Sequence, residues 1–385
     1  MLGGDAAGNL GDRAILQSTC LELQVVHPDA ELTVVATGEN GFGRSMRVRT
    51  VPRGPSGFLG LCRAAARSDL VLCGGGGLFQ DDDSLVKMPY WGLRVALVRL
   101  FCPRVIGYSL GVGPLAASTS RLFARLAFAC MKRISVRDPR SRKTAGDLTR
   151  KPIELAPDPA LLLPPVAEEE ARRWLLDREV PLDGRPIVGV ALRRWFPPRP
   201  RIVPHHVAAR TRPDLGESAG SERLTDLLAQ VLDTVARRHD AFVLFLPTYN
   251  VPHEGDDRIC RLVLEKMSVS RAKVLSIDDP ALYKGVARVL SVLLGGRMHP
   301  AIFATSVGTP AVGLAYNPKF QGFFEMLGLE GRVMGIERFV REERVEELSD
   351  LVSNAMGGGD DLLDRVATLA DAARELNRDL FRGAA

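Results

Sequence analysis

The chain has 385 residues, of which 46% are hydrophobic and 25% are charged. This composition excludes disorder on a large scale, and the length favours two domains over one. The formal net charge of +5 suits a protein that handles anionic substrates or touches an anionic membrane surface, although a charge this mild can also carry no meaning.

The sequence carries no sign of export. No uninterrupted apolar run approaches the roughly 18 residues of a transmembrane helix, and the start of the chain lacks the basic and apolar regions of a signal peptide. The six cysteines form no CxxC pair and lie mostly in apolar surroundings, which is typical of reduced core residues. We therefore expect a cytoplasmic protein without a metal site, in contact at most with the inner face of a membrane.

A glycine-rich stretch opens the chain and leads into a predicted helix from residue 13. Such a loop can lay backbone N–H groups against a phosphate or another ligand group, and Asn9 and Asp12 are its candidate site residues. Asp12 is equally well explained as a simple N-cap. Only Met1 and Leu2 precede the glycines, so the strand expected to feed this loop is missing or truncated.

Short apolar runs then alternate with amphipathic stretches, the pattern of a parallel α/β sheet. Predicted strands cover residues 32–36, 47–51, 70–73, 104–108 and 134–136, with a helix over 122–132. Four successive glycines, 74–77, directly follow the third strand. Because a tight turn needs fewer, we predict a ligand-facing loop that includes Gly75, Gly76 and Gly77. The stretch 111–114 is a further loop at the same predicted sheet edge.

Two charged residues follow the later strands of this half. Arg137 comes at the end of a strand, where it can grip a carboxylate or phosphate in a bidentate manner. The alternative is a surface pair or cap made with Asp138. Asp158 stands between two prolines, and that rigidity fits orienting a cation or a sugar hydroxyl, or merely forming a turn.

A Pro-rich and then charged stretch marks the domain boundary, which predicts domains over 1–165 and 180–385 with a linker over 166–179. In the second domain, strands are predicted over 187–192, 241–246, 272–275, 289–294 and 311–315. Helices are predicted over 223–238, 338–355 and 362–381. Residues 193–222 are predicted to form a long irregular loop over the cleft or surface. We expect two α/β domains that face each other across a cleft.

The stretch 295–319 contains the strongest functional signal, because polar residues gather where strands end and helices begin. Arg297 and His299 follow one predicted strand, and Tyr316, Asn317 and Lys319 follow the next. An isolated histidine is more often a packed one, but this cluster favours function. An imidazole exchanges a proton near neutral pH, and adjacent cations can neutralise a phosphate.

Taken in order, these motifs resemble the polysaccharide pyruvyl transferase family. The resemblance runs nearly end to end and rests on motifs at residues 8–15, 74–79, 111–114, 135–138, 158–160, 189–193, 296–299 and 313–319. It implies a GT-B-like fold of two Rossmann-like domains. It also implies transfer of the pyruvyl unit of phosphoenolpyruvate onto a sugar as a ketal, with no metal or redox cofactor.

The same resemblance implies roles for single residues. His299 is the acid/base, whereas Lys319 and Arg137, chosen over Arg140, hold the donor's carboxylate and phosphate. Arg297 adds positive charge beside them, and Arg193 joins the cleft loops. The stretch 193–201 is unusually basic and aromatic, so contact with a lipid-linked acceptor or a membrane face is as plausible as a bland loop.

Other functions fit the sequence less well. A nucleotide-sugar glycosyltransferase or epimerase would share the fold, but the C-terminal sheet lacks a clear Glu-rich nucleotide-sugar motif. A catalytically silent subunit would not need His299, Arg137 and Lys319 together. Nucleic-acid binding is disfavoured because the basic residues are spread along the chain. The expected partners are thus phosphoenolpyruvate and a glycan or lipid-linked saccharide.

Overall fold

A computed structural model describes residues 1–3, 8–36, 48–82, 84–193, 195, 219–249, 255–316, 318–358 and 361–382. Within these ranges, the side chains of residues 55, 219–221, 318 and 319 are not described. The described residues form two compact units. The first comprises those within Met1–Leu163 and Leu369–Ala385, and the second comprises those within Pro164–Pro197 and Ala209–Thr368.

The first unit alternates strands with helices. Its strands are β1 (Leu32–Ala36), β2 (Val48–Pro52), β3 (Val71–Phe79), β4 (Val105–Val112), β5 (Arg133–Val136) and β6 (Ile153–Leu155). Its helices are α1 (Leu10–Val26), α2 (Phe58–Ala66), α3 (Lys87–Phe101), α4 (Ser118–Cys130) and α5 (Pro139–Gly146), with 3-10 turns at Pro55–Gly57 and Pro159–Leu162.

All the strand pairs of this unit are parallel. β1 pairs with β2, and β3, β4, β5 and β6 follow one another in a second sheet. Leu2 connects the two sheets because it forms parallel bridges to Val35 of β1 and to Cys73 of β3. Its N–H donates to the carbonyl of Leu72 at 2.8 Å, and its carbonyl accepts from Gly74 at 3.0 Å. Leu2 is therefore a single bridged residue between β1 and β3.

Helices cover both faces of this sheet. Leu61, Met88 and Ala124, from α2, α3 and α4, pack on one face with Val105 of β4. Cys20 of α1 and the end of the C-terminal helix pack on the other face. Every residue of β4 is buried, as expected for a central parallel strand that is covered on both sides.

The glycines 74–77 do not form the predicted loop, because they lie inside β3. Gly74 pairs with Tyr108 and Gly76 with Leu110, and the register shifts between Gly76 and Phe79. A Cβ atom on Gly74 would lie 1.8 Å from the carbonyl oxygen of Tyr108. The glycines are thus explained by close backbone approach at a bulged strand, not by a turn.

The second unit is also built on a parallel sheet. Its strands are β7 (Ile187–Ala191), β8 (Phe242–Phe245), β9 (Ala272–Val274), β10 (Val292–Gly295), β11 (Ala311–Ala315) and β12 (Val333–Gly335). Its helices are α6 (Glu168–Leu176), α7 (Ala219–His239), α8 (Asp256–Lys266), α9 (Pro280–Val289), α10 (Met298–Thr305), α11 (Pro318–Met326), α12 (Ile336–Glu342) and α13 (Val345–Met356). A 3-10 turn covers Glu330–Arg332.

The strand order of this sheet is β12-β11-β10-β7-β8-β9. The chain therefore builds outward from β7 to one side and then returns to build outward from β10 to the other side. Such a reversal opens a crevice at the carboxyl ends of the two central strands, which is where ligands bind in sheets of this kind. In this unit the crevice lies after β7 and β10.

Two predicted boundaries are wrong. The predicted linker, 166–179, is part of the second unit: it contains α6, whose Ala171 and Leu175 are buried, and the N–H of Val166 donates to the carbonyl of Ala281 at 3.1 Å. The charged run Glu168–Glu170 occupies the first turn of α6, where negative charge favours a helix. The end of the chain, predicted as part of the second domain, clusters with the first unit from Leu369 onward.

The C-terminal helices differ from the prediction at one point. The predicted helix over 338–355 divides into α12 and α13 at Glu343, which adopts a left-handed conformation with φ of 52°. The following helix, α14 (Leu362–Arg382), matches its prediction within one residue. Among the described helices, none combines the length and the apolarity that crossing a bilayer requires.

We expect the substitution Gly75→Ala to destabilise the first unit. Gly75 has φ of 78°, and an added Cβ would lie 2.3 Å from Cγ2 of Ile15 in α1. A clash and a strained backbone together should lower the free energy of unfolding by about 2 kcal/mol, measured by urea denaturation. Gly146→Ala is the control, because nothing lies within 4 Å of its Cβ position. Equal urea midpoints for the two variants would contradict this explanation.

A lysine is buried in the second unit. Lys284 of α9 is 1% exposed. The helix is closely packed at this point. At the next residue, Gly285, a Cβ atom would lie 2.5 Å from Cγ2 of Val166, which precedes α6. Burial, with a smaller contribution from Arg288, lowers the pKa of Lys284 from 10.5 to about 7. The charged form therefore costs stability in the folded state.

This shift makes stability depend on pH. Between pH 7 and pH 10.5 the unfolded chain holds a proton on Lys284 that the folded chain has released, so the stability contributed by this residue rises with pH. Lys284→Met, which keeps the volume similar, should stabilise the protein most below pH 7 and progressively less towards pH 10.5. Each pKa unit is worth about 1.4 kcal/mol, so the gain is on the order of a few kcal/mol.

The measurement is the urea midpoint across this pH range for the wild type and the variant. The exposed Lys143 on α5 provides the control, and Lys143→Met should leave the pH profile unchanged. A gain from Lys284→Met that stays constant with pH would contradict the assignment.

Candidate functional site

The crevice of the second sheet brings together residues that follow three neighbouring strands. Arg193 follows β7, Arg297 follows β10 and Tyr316 follows β11. The N–H of Gly296 donates to the carbonyl of Ala191 at 2.8 Å, which joins the ends of β7 and β10. The strand order therefore brings Arg297 and Tyr316, which the sequence places after successive strands, to one sheet edge, and it adds Arg193 to them.

Arg297 is held by a buried carboxylate. Its Nε lies 2.5 Å and its Nη2 lies 2.7 Å from the two carboxylate oxygens of Asp256, which is fully buried at the start of α8. The guanidinium also lies 4.9 Å from the ring centroid of Tyr249, whose N–H donates to Asp256 at 3.0 Å. Burial works to lower the pKa of Arg297, but the Asp256 carboxylate outweighs it and the pKa is raised.

His299 is the second residue of α10 and is half-buried. Its ring centroid lies 6.3 Å from that of Phe303, one turn along the helix, and Phe303 in turn lies 5.3 Å from Tyr283. Arg297 is the N-cap of this helix, and its side chain makes no capping hydrogen bond. The imidazole is thus carried at a helix N-terminus, where the backbone dipole favours an anion.

Arg193 stacks on Tyr316, with its guanidinium carbon 3.9 Å from the ring centroid. Both residues are half-buried and line a small cavity with Trp195 and Gly296. Apolar side chains complete that cavity: Leu192, Leu224, Leu228, Leu314 and Ile336. Two site residues that the sequence placed on separate motifs are therefore in contact, and they combine a cation with an aromatic face.

The residues after Tyr316 complete the predicted cluster only in part. Asn317 lies outside the described residues. Lys319 lies in the first turn of α11, and its side chain is not described. Of the predicted basic and aromatic stretch 193–201, the structure describes Arg193 and Trp195.

In the first unit, Arg137 is buried at the end of β5 with 6% exposure. Its Nη1 donates to Asp158 at 2.8 Å, and Asp158 also accepts from the N–H of Ala160 at 3.0 Å. Asp138 caps α5 by accepting from the N–H of Ser141 at 2.7 Å, so it is only a distant ion partner, 3.9 Å from Nε. The alternative of a surface pair between Arg137 and Asp138 is therefore wrong. The alternative of a cap is correct, because Asp138 caps α5.

One edge of the Arg137 guanidinium faces a glycine. A Cβ on Gly111 of β4 would lie 3.0 Å from Nε and 3.1 Å from Nη2, so a side chain at this position would crowd the edge. Within the described part of the chain, this buried Nε has no hydrogen-bond acceptor. The Nε–Nη2 edge is the one that binds a carboxylate or phosphate in a bidentate manner.

The start of α1 lies beside β3 in the same unit. Asn9 is the N-cap, and its Oδ1 accepts from the N–H groups of Gly11 and Asp12 at 3.0 and 3.4 Å. Asp12 lies in the first turn, so it is not the N-cap, and its Oδ1 is 2.9 Å from the Cβ position of Gly76. The glycines of β3 let this carboxylate approach the strand, and Gly77 continues that strand.

Sequence reasoning missed Asp256 and Tyr249. Asp256 carries only the weak signal of an acidic residue at the start of a helix. Its partner Arg297 stands 41 residues later, and no local pattern links the two. The sequence allows Asp158 to orient a cation, and in the structure that cation is Arg137 of the protein itself.

Solved structures with a similar fold include glycosyltransferases and epimerases. A glycosyltransferase from Rickettsia africae ESF-5 has 9% identity and a TM-score of 0.59, over 100% of this chain and 97% of its own. UDP-GlcNAc 2-epimerase from Methanocaldococcus jannaschii has 10% identity and a TM-score of 0.58, over 96% and 98%. ADP-heptose lps heptosyltransferase II from E. coli has 13% identity and a TM-score of 0.50, over 92% and 97%.

At these identities the likeness shows the fold alone, and it confirms the predicted GT-B-like fold built from Rossmann-like domains. A search of curated protein sequences finds no significant match. The family model described as polysaccharide pyruvyl transferase matches residues 9–318. That range includes the start of α1, the β3 glycines, Arg137 and His299, and the chain belongs to the polysaccharide pyruvyl transferase family.

Proposed function

We propose that the protein transfers the pyruvyl unit of phosphoenolpyruvate onto two hydroxyls of a sugar, forming a cyclic ketal and releasing inorganic phosphate. The observation that carries this proposal is the buried Arg137, whose Nε–Nη2 edge faces Gly111 in a chain that belongs to this family. Phosphoenolpyruvate offers a carboxylate and a phosphate, and a bidentate arginine edge suits either group.

The reaction needs one proton at carbon and one on the leaving group. A proton delivered to the methylene carbon of phosphoenolpyruvate produces the methyl group and an oxocarbenium-like centre. One sugar hydroxyl attacks that centre, phosphate departs, and the second hydroxyl attacks in turn. The two sugar hydroxyls release two protons in total. One replaces the proton that was delivered to the methylene carbon, and the other leaves with phosphate, so the reaction balances.

In this proposal His299 delivers the proton to the methylene carbon of phosphoenolpyruvate. It is then reprotonated by the sugar hydroxyl that attacks. Its place at the start of α10 puts it beside backbone N–H groups that favour a bound anion. Lys319 and Arg137 hold the donor's charged groups and stabilise the departing phosphate. Arg297, paired with Asp256, positions the start of α10.

The remaining predicted site residues are assigned to the acceptor in this proposal. Arg193 stacked on Tyr316 presents a cation and an aromatic face, both of which suit a sugar. Asp12 and Asn9 offer a carboxylate and an amide for its hydroxyls, and Asn317 joins them in this proposal. The acceptor is a glycan of a cell-surface polysaccharide or its lipid-linked precursor, and the reaction runs in the cytoplasm, where phosphoenolpyruvate is made.

The test is incubation with phosphoenolpyruvate and a panel of glycan acceptors. Phosphate release and an added pyruvyl mass on the acceptor are expected. His299→Ala should reduce kcat by about 100- to 10,000-fold, the range for loss of a general acid or base, with little change in donor KM. His239→Ala, at the half-buried last residue of α7, is the control and should retain activity.

Full activity of His299→Ala would remove its proposed role. Turnover of UDP-GlcNAc, with no response to phosphoenolpyruvate, would replace the proposed function by that of a nucleotide-sugar enzyme.

Asp158 should matter for stability and for the donor site. Asp158→Asn leaves the buried Arg137 without its carboxylate partner, so the free energy of unfolding should fall by about 3 kcal/mol and the KM for phosphoenolpyruvate should rise. Asp183→Asn removes an exposed carboxylate paired with Arg185 and should leave the urea midpoint nearly unchanged, because solvent screens such a pair. Similar urea midpoints for the two variants would contradict the role given to the buried pair.

A further inference from the structure

Exposed apolar side chains are concentrated on three adjacent helices of the first unit. Eight of the large ones in the described part of the chain lie on α2, α3 and α4 or at the start of α3: Phe58, Leu59, Val86, Leu93, Leu100, Phe101, Leu122 and Leu126. We call this set the α2–α4 surface. Scattered exposed apolar residues are normal in proteins, but a cluster of this size indicates a contact with something else.

The apolar residues of α3 form a stripe. Val86, Leu93 and Leu100 are spaced by seven residues, so they lie on one side of the helix and are 50%, 56% and 80% exposed. The buried residues Met88 and Val95 lie on the opposite side, against the sheet. Both sides of α3 are therefore apolar, and only one of them is explained by the core of this unit.

The three helices present one continuous surface. All of them pack on the same face of the sheet, α3 between α2 and α4. α3 and α4 approach closely, because a Cβ on Gly92 would lie 2.7 Å from the carbonyl oxygen of Phe123. The outward residues Leu122 and Leu126 of α4 are one helical turn apart and extend the stripe of α3 sideways.

The charged residues on α2, α3 and α4 all have one sign. From Ser84 to Arg137 the sequence contains no Asp or Glu, and α2 has none either. Arginines stand among the apolar side chains: Arg63, Arg67, Arg94, Arg99, Arg121 and Arg125. None of these arginines forms an ion pair with any residue that the structure describes, and Arg94 instead stacks on Tyr90 at 4.5 Å.

We propose that the α2–α4 surface docks the protein onto an anionic membrane. Apolar side chains that insert at the headgroup level and arginines that meet anionic lipids are what such a surface requires. A second copy of the chain fits less well, since a symmetric contact through this surface would oppose arginine to arginine. The proposal goes beyond the proposed function and uses residues outside the candidate site, so it holds for any donor or acceptor.

The experiment measures binding of the full chain to lipid vesicles by sedimentation, without phosphoenolpyruvate or a saccharide. Binding is expected to vesicles that contain phosphatidylglycerol and to be weak on vesicles of phosphatidylcholine alone. Arg121→Gln with Arg125→Gln should weaken binding by about 25-fold, because each basic residue near an anionic surface is worth about 1 kcal/mol. Leu93→Gln with Leu100→Gln should weaken it at least on the order of tenfold.

Matched controls lie elsewhere on the molecule. Val25→Gln changes an exposed apolar residue on α1, on the opposite face of the same sheet, and Arg172→Gln with Arg173→Gln changes exposed arginines on α6. Both should bind as the wild type does. Because all these side chains are exposed, circular dichroism should show that every variant is folded.

Three results would overturn the proposal. The first is no binding to vesicles that contain phosphatidylglycerol. The second is binding that the substitutions on α3 and α4 leave unchanged. The third is self-association of the wild type, without vesicle binding, that the Leu93 and Leu100 substitutions abolish, which would assign the α2–α4 surface to a second copy of the chain.

Discussion

The reversal of strand order between β7 and β10 is the constraint on which the candidate site of the second unit depends. Parallel strands end at one edge of a sheet, and segments that leave neighbouring strands in opposite directions open a crevice between them. Arg193 and His299 are far apart in the sequence, yet each follows one of these two strands. The strand order therefore creates the crevice, and the side chains that line it determine which ligand would fit.

Buried cations are used in two different ways. Arg297 has both Nε and Nη2 bound by Asp256, so its guanidinium serves to fix the local structure. Arg137 gives Nη1 to Asp158 and keeps its bidentate edge towards Gly111. A carboxylate that binds one end of a guanidinium orients the other end. Because Asp158 binds only Nη1 of Arg137, this arginine is a better candidate than Arg297 for binding an anion.

Hydrophobic patterning was sufficient for most of the sheets. The strands Leu32–Ala36 and Ala311–Ala315 match their predictions residue for residue, because each is an apolar run of ordinary strand length. The apolar positions of α7, such as Leu224 and Val231, are buried at the predicted helical spacing. The same pattern placed Arg137 after a strand and His299 at the start of a helix, as the structure has them.

The failures have physical causes. Glycines 74–77 have no side chains, so the pattern that marks a strand stops at Cys73 although backbone pairing continues to Phe79. Leu2 pairs on both sides as a single residue, which is too short for any periodicity. Glu343 ends a helix in a conformation that glycine usually adopts. The contact between Arg297 and Asp256 depends on the folded chain and has no local signal.

The absence of acidic residues from Ser84 to Arg137 also has a kinetic consequence. Positive charge that is concentrated on one set of helices interacts unevenly with a negative surface, so the protein experiences a torque as it approaches. That torque acts within roughly one Debye length, about 8 Å at physiological ionic strength. In the proposed docking on an anionic membrane, a collision in the wrong orientation can be corrected before the protein leaves the surface, so the rate of membrane association would fall steeply with added salt.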